Sequence, residues 1–169
     1  AQPKRSAVVG GGVGGSEVAC FFAAIGTQVT HIEMLPRLVM AEDEEISAAL
    51  EREMKKQKIA LHLGAKVEDR KNNADGSITL TIKKGDAVTT AVVDTVLVAT
   101  GRRPYSEGLG LNAVGLGVEG RGKNVVTEHL QTTVKKIYAT GDVPDIQTLA
   151  HFGSPQGTAT HDISGWQPA

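Results

Sequence analysis

Gly10-Gly11-Gly12-Val13-Gly14-Gly15 limits what this chain can fold into more than any other feature: it fits G-x-G-x-x-G and lies between an apolar strand and a helix. Ser6 to Gly10 reads as a short buried strand, and a helix is predicted from about Gly14 to Ile25, with Gly26 placed to stop it. Gln28 to Glu33 reads as a second strand that ends on an acid. Each part has a physical job in holding a dinucleotide. Gly10 permits the tight turn, Gly12 lets the backbone approach a pyrophosphate, and Gly15 lets helix and strand pack closely. The helix N-terminus offers unpaired N–H groups and a positive dipole end to the phosphates. Glu33 is placed to accept hydrogen bonds from the adenosine ribose hydroxyls. A 2′-phosphate would face its carboxylate, which favours NAD over NADP, although Arg37 only four residues on leaves NADP open. The plain alternative is a tight turn with Glu33 as a solvated strand end.

The elements that follow extend the pattern. Glu42 to Glu45 load the start of a second helix with negative charge and Lys55, Lys56 and Lys58 load its end with positive charge, both matching the helix dipole. Ile46, Leu50 and Met54 recur every four residues as its apolar stripe. Ile59 to Leu63 is a third strand, and the alternation of strands and helices argues for parallel pairing with right-handed crossovers. After a turn at Asn73 to Gly76, the strands Ser77–Ile82, Val88–Val93 and Thr95–Ala99 read as a small antiparallel meander. From Gly101 to Lys123 the chain reads as glycine-rich loop. Val125-Val126 and Ile137-Tyr138 read as short strands, and Pro155 to Ile163 as a last helix stopped by Gly165 and Pro168.

Charge and composition exclude several classes. Eighteen basic against 19 acidic residues give a net charge of −1 without a polybasic run, so nucleic-acid and anionic-membrane surfaces have no electrostatic support. The apolar runs fall far short of the roughly 20 residues a membrane helix needs, and the first residues read as having no apolar signal region. Cys20 is the one cysteine, so an intrachain disulfide or dithiol is impossible, and among Val18, Phe21 and Phe22 it reads as core. The histidines 31, 62, 129, 151 and 161 lack metal-ligand spacing, and no metal site is predicted. Glu17, two residues past Gly15, reads from its chemistry as a first-turn acid complementing the helix dipole.

Taken in order, the glycine loop to Glu17, Val-Thr-His-Ile-Glu-Met-Leu-Pro-Arg, Asp-Glu-Glu-Ile, Leu-Gly-Ala-Lys-Val, Val-Leu-Val-Ala-Thr-Gly-Arg-Arg-Pro and Ile-Tyr-Ala-Thr-Gly-Asp-Val resemble the flavin-dependent pyridine nucleotide–disulfide oxidoreductases. Within that family the likeness is to the dihydrolipoyl dehydrogenase branch, carried also by Gly-Arg-Arg-Pro-Tyr-Ser-Glu-Gly-Leu-Gly-Leu and by Leu149-Ala150-His151. The resemblance implies an α/β fold of the FAD/NAD(P)-binding type: a Rossmann-like parallel sheet with an antiparallel β-meander, and an incomplete second domain. Residues 1–100 resemble the NAD-binding domain, 101–150 the C-terminal part of the FAD-binding domain, and 151–169 a truncated start of the interface domain. It places Gly10, Gly11, Gly12, Val13, Gly14, Gly15, Ser16, Glu17, Glu33, Val67 and Gly101 around NAD, with Glu17 beside the nicotinamide and flavin as a catalytic candidate. It places Asp142, Thr148, Leu149, Ala150 and His151 on FAD.

The departures qualify the expectation. The family's redox cysteine pair and its own FAD glycine motif are expected upstream of this sequence, and its His–Glu pair in the interface domain. Cys20, His151 and His161 do not stand in for them. Gly14 occupies a place where the family carries a larger aliphatic residue. The expected function is to place NAD for hydride transfer from reduced FAD in a dihydrolipoyl dehydrogenase-like enzyme, with this segment inactive alone. The implied partners are the missing FAD and interface domains, a second copy of the complete protein, and lipoyl domains of 2-oxo acid dehydrogenase complexes. A cytoplasmic or a mitochondrial-matrix location fits equally. A stand-alone or regulatory NAD(H)-binding module without catalysis remains the alternative from another class. A third reading, in which the glycine loop holds the ADP half of FAD, runs against the intervening meander and second Ala-Thr-Gly at Ala139–Gly141.

Overall fold

The computed structural model of the chain describes residues 2–120, 122–146 and 148–165. The short buried run Ser6-Ala7-Val8 lies in β1 (Arg5–Val9), followed by α1 (Val13–Ala24) and β2 (Gln28–Glu33). Then come α2 (Glu44–Lys56), β3 (Ala60–Leu63), β4 (Lys66–Asn72), β5 (Ile78–Lys84), β6 (Ala87–Val93) and β7 (Thr95–Val98). A 3-10 turn (Leu111–Val114) and α3 (Ala150–Ser164) complete the order. The chain divides into two compact units, Ala1–Gly101 and Arg102–Ala169.

In the first unit, β1 pairs with β2 and β7, and β2 with β3, all in parallel, giving the order β3-β2-β1-β7. Successive side chains of these strands point to opposite faces. Val8 and Val29 pack on one face with Ala19 of α1 and Met54 of α2. Ala7 and Ile32 pack on the other with Leu80, Ile82 and Val93 of the meander β4-β5-β6. Helices, parallel sheet and antiparallel meander therefore form three layers, and the sheet is covered on both faces as parallel sheets require.

Several expectations need correction. The meander is β4-β5-β6, not a set ending in Thr95–Ala99. Strand β4 escaped the sequence reading because Lys-Val-Glu-Asp-Arg-Lys-Asn turns only Val67 inward and has no apolar alternation; charge of this kind suits an edge strand. Strand β7 joins the parallel sheet because it is apolar on both faces, Leu97 packing with the helix-side core and Val96 with the meander-side core. On α2 the buried line is Ser47, Leu50 and Met54, whereas Ile46 is 57% exposed. Asp43 caps this helix, its carboxylate accepting from the Glu45 N–H at 2.9 Å.

The second unit is mostly irregular. The expected strands at Val125-Val126 and Ile137-Tyr138 are single bridges, Val126 to Thr132 and Gln131 to Tyr138. Helix α3 begins at Ala150 rather than Pro155, which is its sixth residue. Gly165 ends it at a φ of +66°; Pro168, the other expected stop, lies outside the described residues.

Candidate functional site

The glycine loop is built by backbone crowding. Gly10 follows β1 at a φ of +114°, and a Cβ there would lie 2.2 Å from the Ala99 carbonyl oxygen. A Cβ on Gly15 would lie 1.9 Å from the Gly10 carbonyl oxygen, so α1 can cross β1 this closely only with glycine at that position. Gly12 is different. Its φ is −71°, it is the N-cap of α1, and nothing lies within 4 Å of where its Cβ would be. The first helical bond runs from the Ser16 N–H to the Gly12 carbonyl at 2.9 Å. The N–H groups before it have no intrahelical partner and sit at the positive end of the helix dipole.

Strand β2 holds this loop from below with two side chains of one face. The Glu33 carboxylate accepts from the Gly11 N–H and from the Leu35 N–H, the latter at 2.6 Å. His31 is fully buried, and its Nε2 is 2.9 Å from the Gly10 carbonyl oxygen. That contact requires Nε2 to carry the proton and donate, which leaves Nδ1 as a bare acceptor, buried without a partner among the described residues. Burial pushes the imidazole below its ordinary pKa, outweighing the opposing influence of the Gly10 carbonyl and the Glu33 charge. Ser16, also buried, brings its hydroxyl to 3.4 Å from the Gly11 carbonyl oxygen.

Two adjoining clefts open over the loop. The larger, about 480 Å³, is lined by Gly10, Gly12, Ile32, Glu33, Val67, Lys66, Ala99, Thr100 and Gly101 among others. The smaller, about 230 Å³, is lined by Gly11, Gly12, Val13, Glu33, Leu35, Arg37 and the segment Val39 to Glu42. Gly12, Glu33 and Leu35 belong to both. The fold therefore brings Gly10, Gly11, Gly12, Val13, Glu33, Val67 and Gly101 together, although Val67 and Gly101 lie 34 and 68 residues beyond Glu33 in sequence. Gly14 is exposed on the first turn of α1, and Gly15 and Ser16 are buried beneath it.

Glu17 corrects an expectation. The first turn of α1 holds no acid, so Glu17 sits beyond the reach of the dipole role, exposed on the second turn and outside both cleft linings. Sequence reasoning also passed over His31 and the wall from Val39 to Glu42. The alternation Val29, His31, Glu33 was the available signal for His31, because it puts the imidazole on the face that carries Glu33.

In the second unit, the Asp142 carboxylate pairs with the Arg102 guanidinium at 3.0 Å, and the Gly141 N–H donates to Gln156 Oε1 at 2.8 Å. Leu149 is the N-cap of α3, Ala150 and His151 lie in its first turn, and Thr148 precedes it. No cluster of metal-ligating side chains occurs among the described residues. Cys20, half-buried on α1, has its thiol pKa raised by burial, which disfavours the thiolate.

Comparison with known proteins extends this picture. Residues 1–157 match the family described as Pyridine nucleotide-disulphide oxidoreductase. The chain is 38% identical over 167 residues to a dihydrolipoyl dehydrogenase of Chlorobaculum tepidum, covering 98% of this chain and 35% of that protein. It is 34% identical over 160 residues to a mitochondrial dihydrolipoyl dehydrogenase of Dictyostelium discoideum, covering 93% and 33%. Among solved structures, the HOCl-induced flavoprotein disulfide reductase RclA of Escherichia coli superposes with a TM-score of 0.84 at 28% identity, covering 96% of this chain and 36% of that one. LpdA of Mycobacterium tuberculosis gives a TM-score of 0.85 at 25% identity, covering 100% and 36%. The chain thus spans about a third of the length of the relatives it matches.

Proposed function

The chain belongs to the pyridine nucleotide-disulphide oxidoreductase family, and on that premise we propose that it is the NAD-binding segment of a dihydrolipoyl dehydrogenase-like flavoenzyme. In this reading residues 1–100 are the NAD-binding domain, 101–150 the returning part of the FAD-binding domain, and 151–169 the start of the interface domain. The observation that carries the reading is Gly12. Gly10 and Gly15 are glycine because backbone fills the space a Cβ would need, but Gly12 faces open space between the two clefts. Nothing internal requires glycine there, and the close approach of a pyrophosphate from outside supplies the missing reason.

NAD, when bound, supplies the hydride acceptor for electrons that arrive through the family's flavin. The chain's own share is to bind and orient. Gly12 and the N–H groups that open α1 receive the phosphates. Glu33 receives the adenosine ribose hydroxyls, exchanging them for the backbone donors it now holds. Val67 and Gly101 line the larger cleft at the far side of the loop. Gly11, Val13, Gly14, Gly15, Ser16 and Glu17 complete the proposed NAD set, with Glu17 the candidate beside the nicotinamide. Asp142, Thr148, Leu149, Ala150 and His151 are the proposed FAD contacts. In the complete protein the partners are a second copy and lipoyl domains.

Calorimetric titration of the chain with NADH and NADPH at constant salt tests the site. A preference for NADH that disappears in Glu33→Ala is the expected result, and binding of neither nucleotide overturns the reading. A second reading, a nucleotide-binding module without catalysis, draws on Cys20 being the single thiol of the chain. It requires that NADH-dependent dye reduction stay absent when FAD is added, and measurable dye reduction rejects it.

A further inference from the structure

The wall of the smaller cleft contains a residue in an improbable conformation. Val39 is buried and has a φ of +41°, a left-handed setting that a β-branched side chain rarely adopts. Its N–H donates to the Gly11 carbonyl at 2.8 Å, and its own carbonyl accepts from the Glu42 N–H at 2.8 Å. The turn is therefore bonded to the glycine loop itself. Residues held this way persist only where their surroundings over-determine them.

Arg37 supplies that determination. Its Nη1 donates to the Glu42 carbonyl and to Ser47 Oγ, each at 2.7 Å, and its Nη2 to the Met40 carbonyl at 3.2 Å. Ser47 is buried in the first turn of α2, and its hydroxyl donates to the Leu38 carbonyl at 2.8 Å. One planar guanidinium so ties the residues following Val39 to a fixed helix, a task for which a lysine ammonium lacks the fork.

We propose that Arg37 is a positioning residue of the nucleotide site: it holds Val39 in the left-handed turn, so that the Val39 N–H keeps the Gly11 carbonyl, and with it the glycine loop, in the binding arrangement. The proposal rests on the clefts being the NAD site. It departs from the role that Arg37's place after Glu33 suggests, a cation for a 2′-phosphate. Reaching a phosphate would release three acceptors, one of them a buried hydroxyl.

The test uses the full chain with Arg37→Met and Arg37→Lys, amide hydrogen exchange, and titration with NADH and NADPH. In Arg37→Met the Val39 amide exchanges faster while the amides of the β1–β2 ladder keep their protection. NADH affinity falls by roughly tenfold, as expected when a preorganised wall must be ordered on binding, and NADPH affinity falls by the same factor. Arg37→Lys lies between, and adding Val39→Gly to Arg37→Met restores part of the affinity, because glycine adopts the turn unaided. An unchanged Val39 exchange rate overturns the proposal. So does NADH affinity that stays within about twofold of wild type, or a loss confined to NADPH, which would make Arg37 a phosphate contact. If the wild-type chain binds neither nucleotide, the NAD reading falls, and the Val39 exchange rate alone decides whether Arg37 holds the turn.

Discussion

An alanine at Gly15 would set its Cβ 1.9 Å from the Gly10 carbonyl oxygen, whereas at Gly12 nothing lies within 4 Å. The two glycines of one motif therefore differ: the fold requires glycine at Gly15, whereas at Gly12 it leaves open space, which the proposed nucleotide site would use. Gly15→Ala is expected to lose about 1–3 kcal/mol in thermal or denaturant unfolding, the cost of overpacking a close helix–strand crossing. Gly12→Ala is expected to unfold as the wild type does and to lose NADH affinity in calorimetry. A Gly12→Ala protein that binds NADH normally would contradict the part given to that residue. The motif and the separate parts expected of its glycines were legible in the sequence. What the sequence could not supply is the identity of the atoms that crowd them, the Ala99 carbonyl at Gly10 and the Gly10 carbonyl at Gly15, because these meet only in the folded chain.

At the scale of elements, α2 and β2 show how far local pattern reaches. The charge gradient from Glu44 and Glu45 to Lys55 and Lys56 and the Asp43 cap are short-range interactions, and the helix appears where they place it. Its buried face was misread by one residue. Ser47 takes the inward place that Ile46 was expected to fill, because its hydroxyl serves the Leu38 carbonyl and Arg37. On β2, burial keeps His31 neutral, and this gives the element a pH dependence. The native pKa lies below the ordinary 6.5, so as pH falls the unfolded chain binds its proton first. The stability contributed by the neutral imidazole is complete above that value and is lost as pH drops through the lowered native one. Melting temperatures measured from pH 8 to pH 5 are expected to fall on the acid side. In His31→Gln, which keeps an N–H donor for the Gly10 carbonyl and cannot titrate, that limb is expected to flatten. An acid limb as steep as the wild type's would assign it to another group.

For the molecule as a whole, the first unit carries both cores and both clefts, while the second is mostly turns, bridges and one helix. Among the described residues no helix is long and apolar enough to cross a membrane. The linings of both clefts, and so the proposed nucleotide site, end at Gly101. A chain ended at Gly101 is therefore expected to unfold cooperatively by circular dichroism and to bind NADH within about twofold of the full chain, as an independent domain would. Loss of binding in that shortened chain would mean that the site depends on residues after 101.

What the sequence determined alone is what neighbours along the chain decide. The two strand–helix passages and the caps and dipole charges of α2 rest on patterns within a few residues. The glycine motif and the acid ending β2 are short signals of the same kind, although the atoms that crowd Gly10 and bind Glu33 come from distant residues. The family likeness was legible for the same reason, since its motifs are short runs at such turns. Only the tertiary structure decided which strand lies beside β1, since the apolar residues of β7 suit a meander edge and a buried parallel strand equally until both faces are covered. It alone found β4, whose charged residues hide a strand with a single inward side chain. It also sent the Arg37 guanidinium to the Met40 and Glu42 carbonyls and to Ser47 rather than toward the space in front of Glu33. The first two outcomes depend on groups brought together after the chain has folded back on itself. The Arg37 contacts lie 3 to 10 residues along the chain, but they need the left-handed turn at Val39, which the local propensity of a β-branched residue opposes.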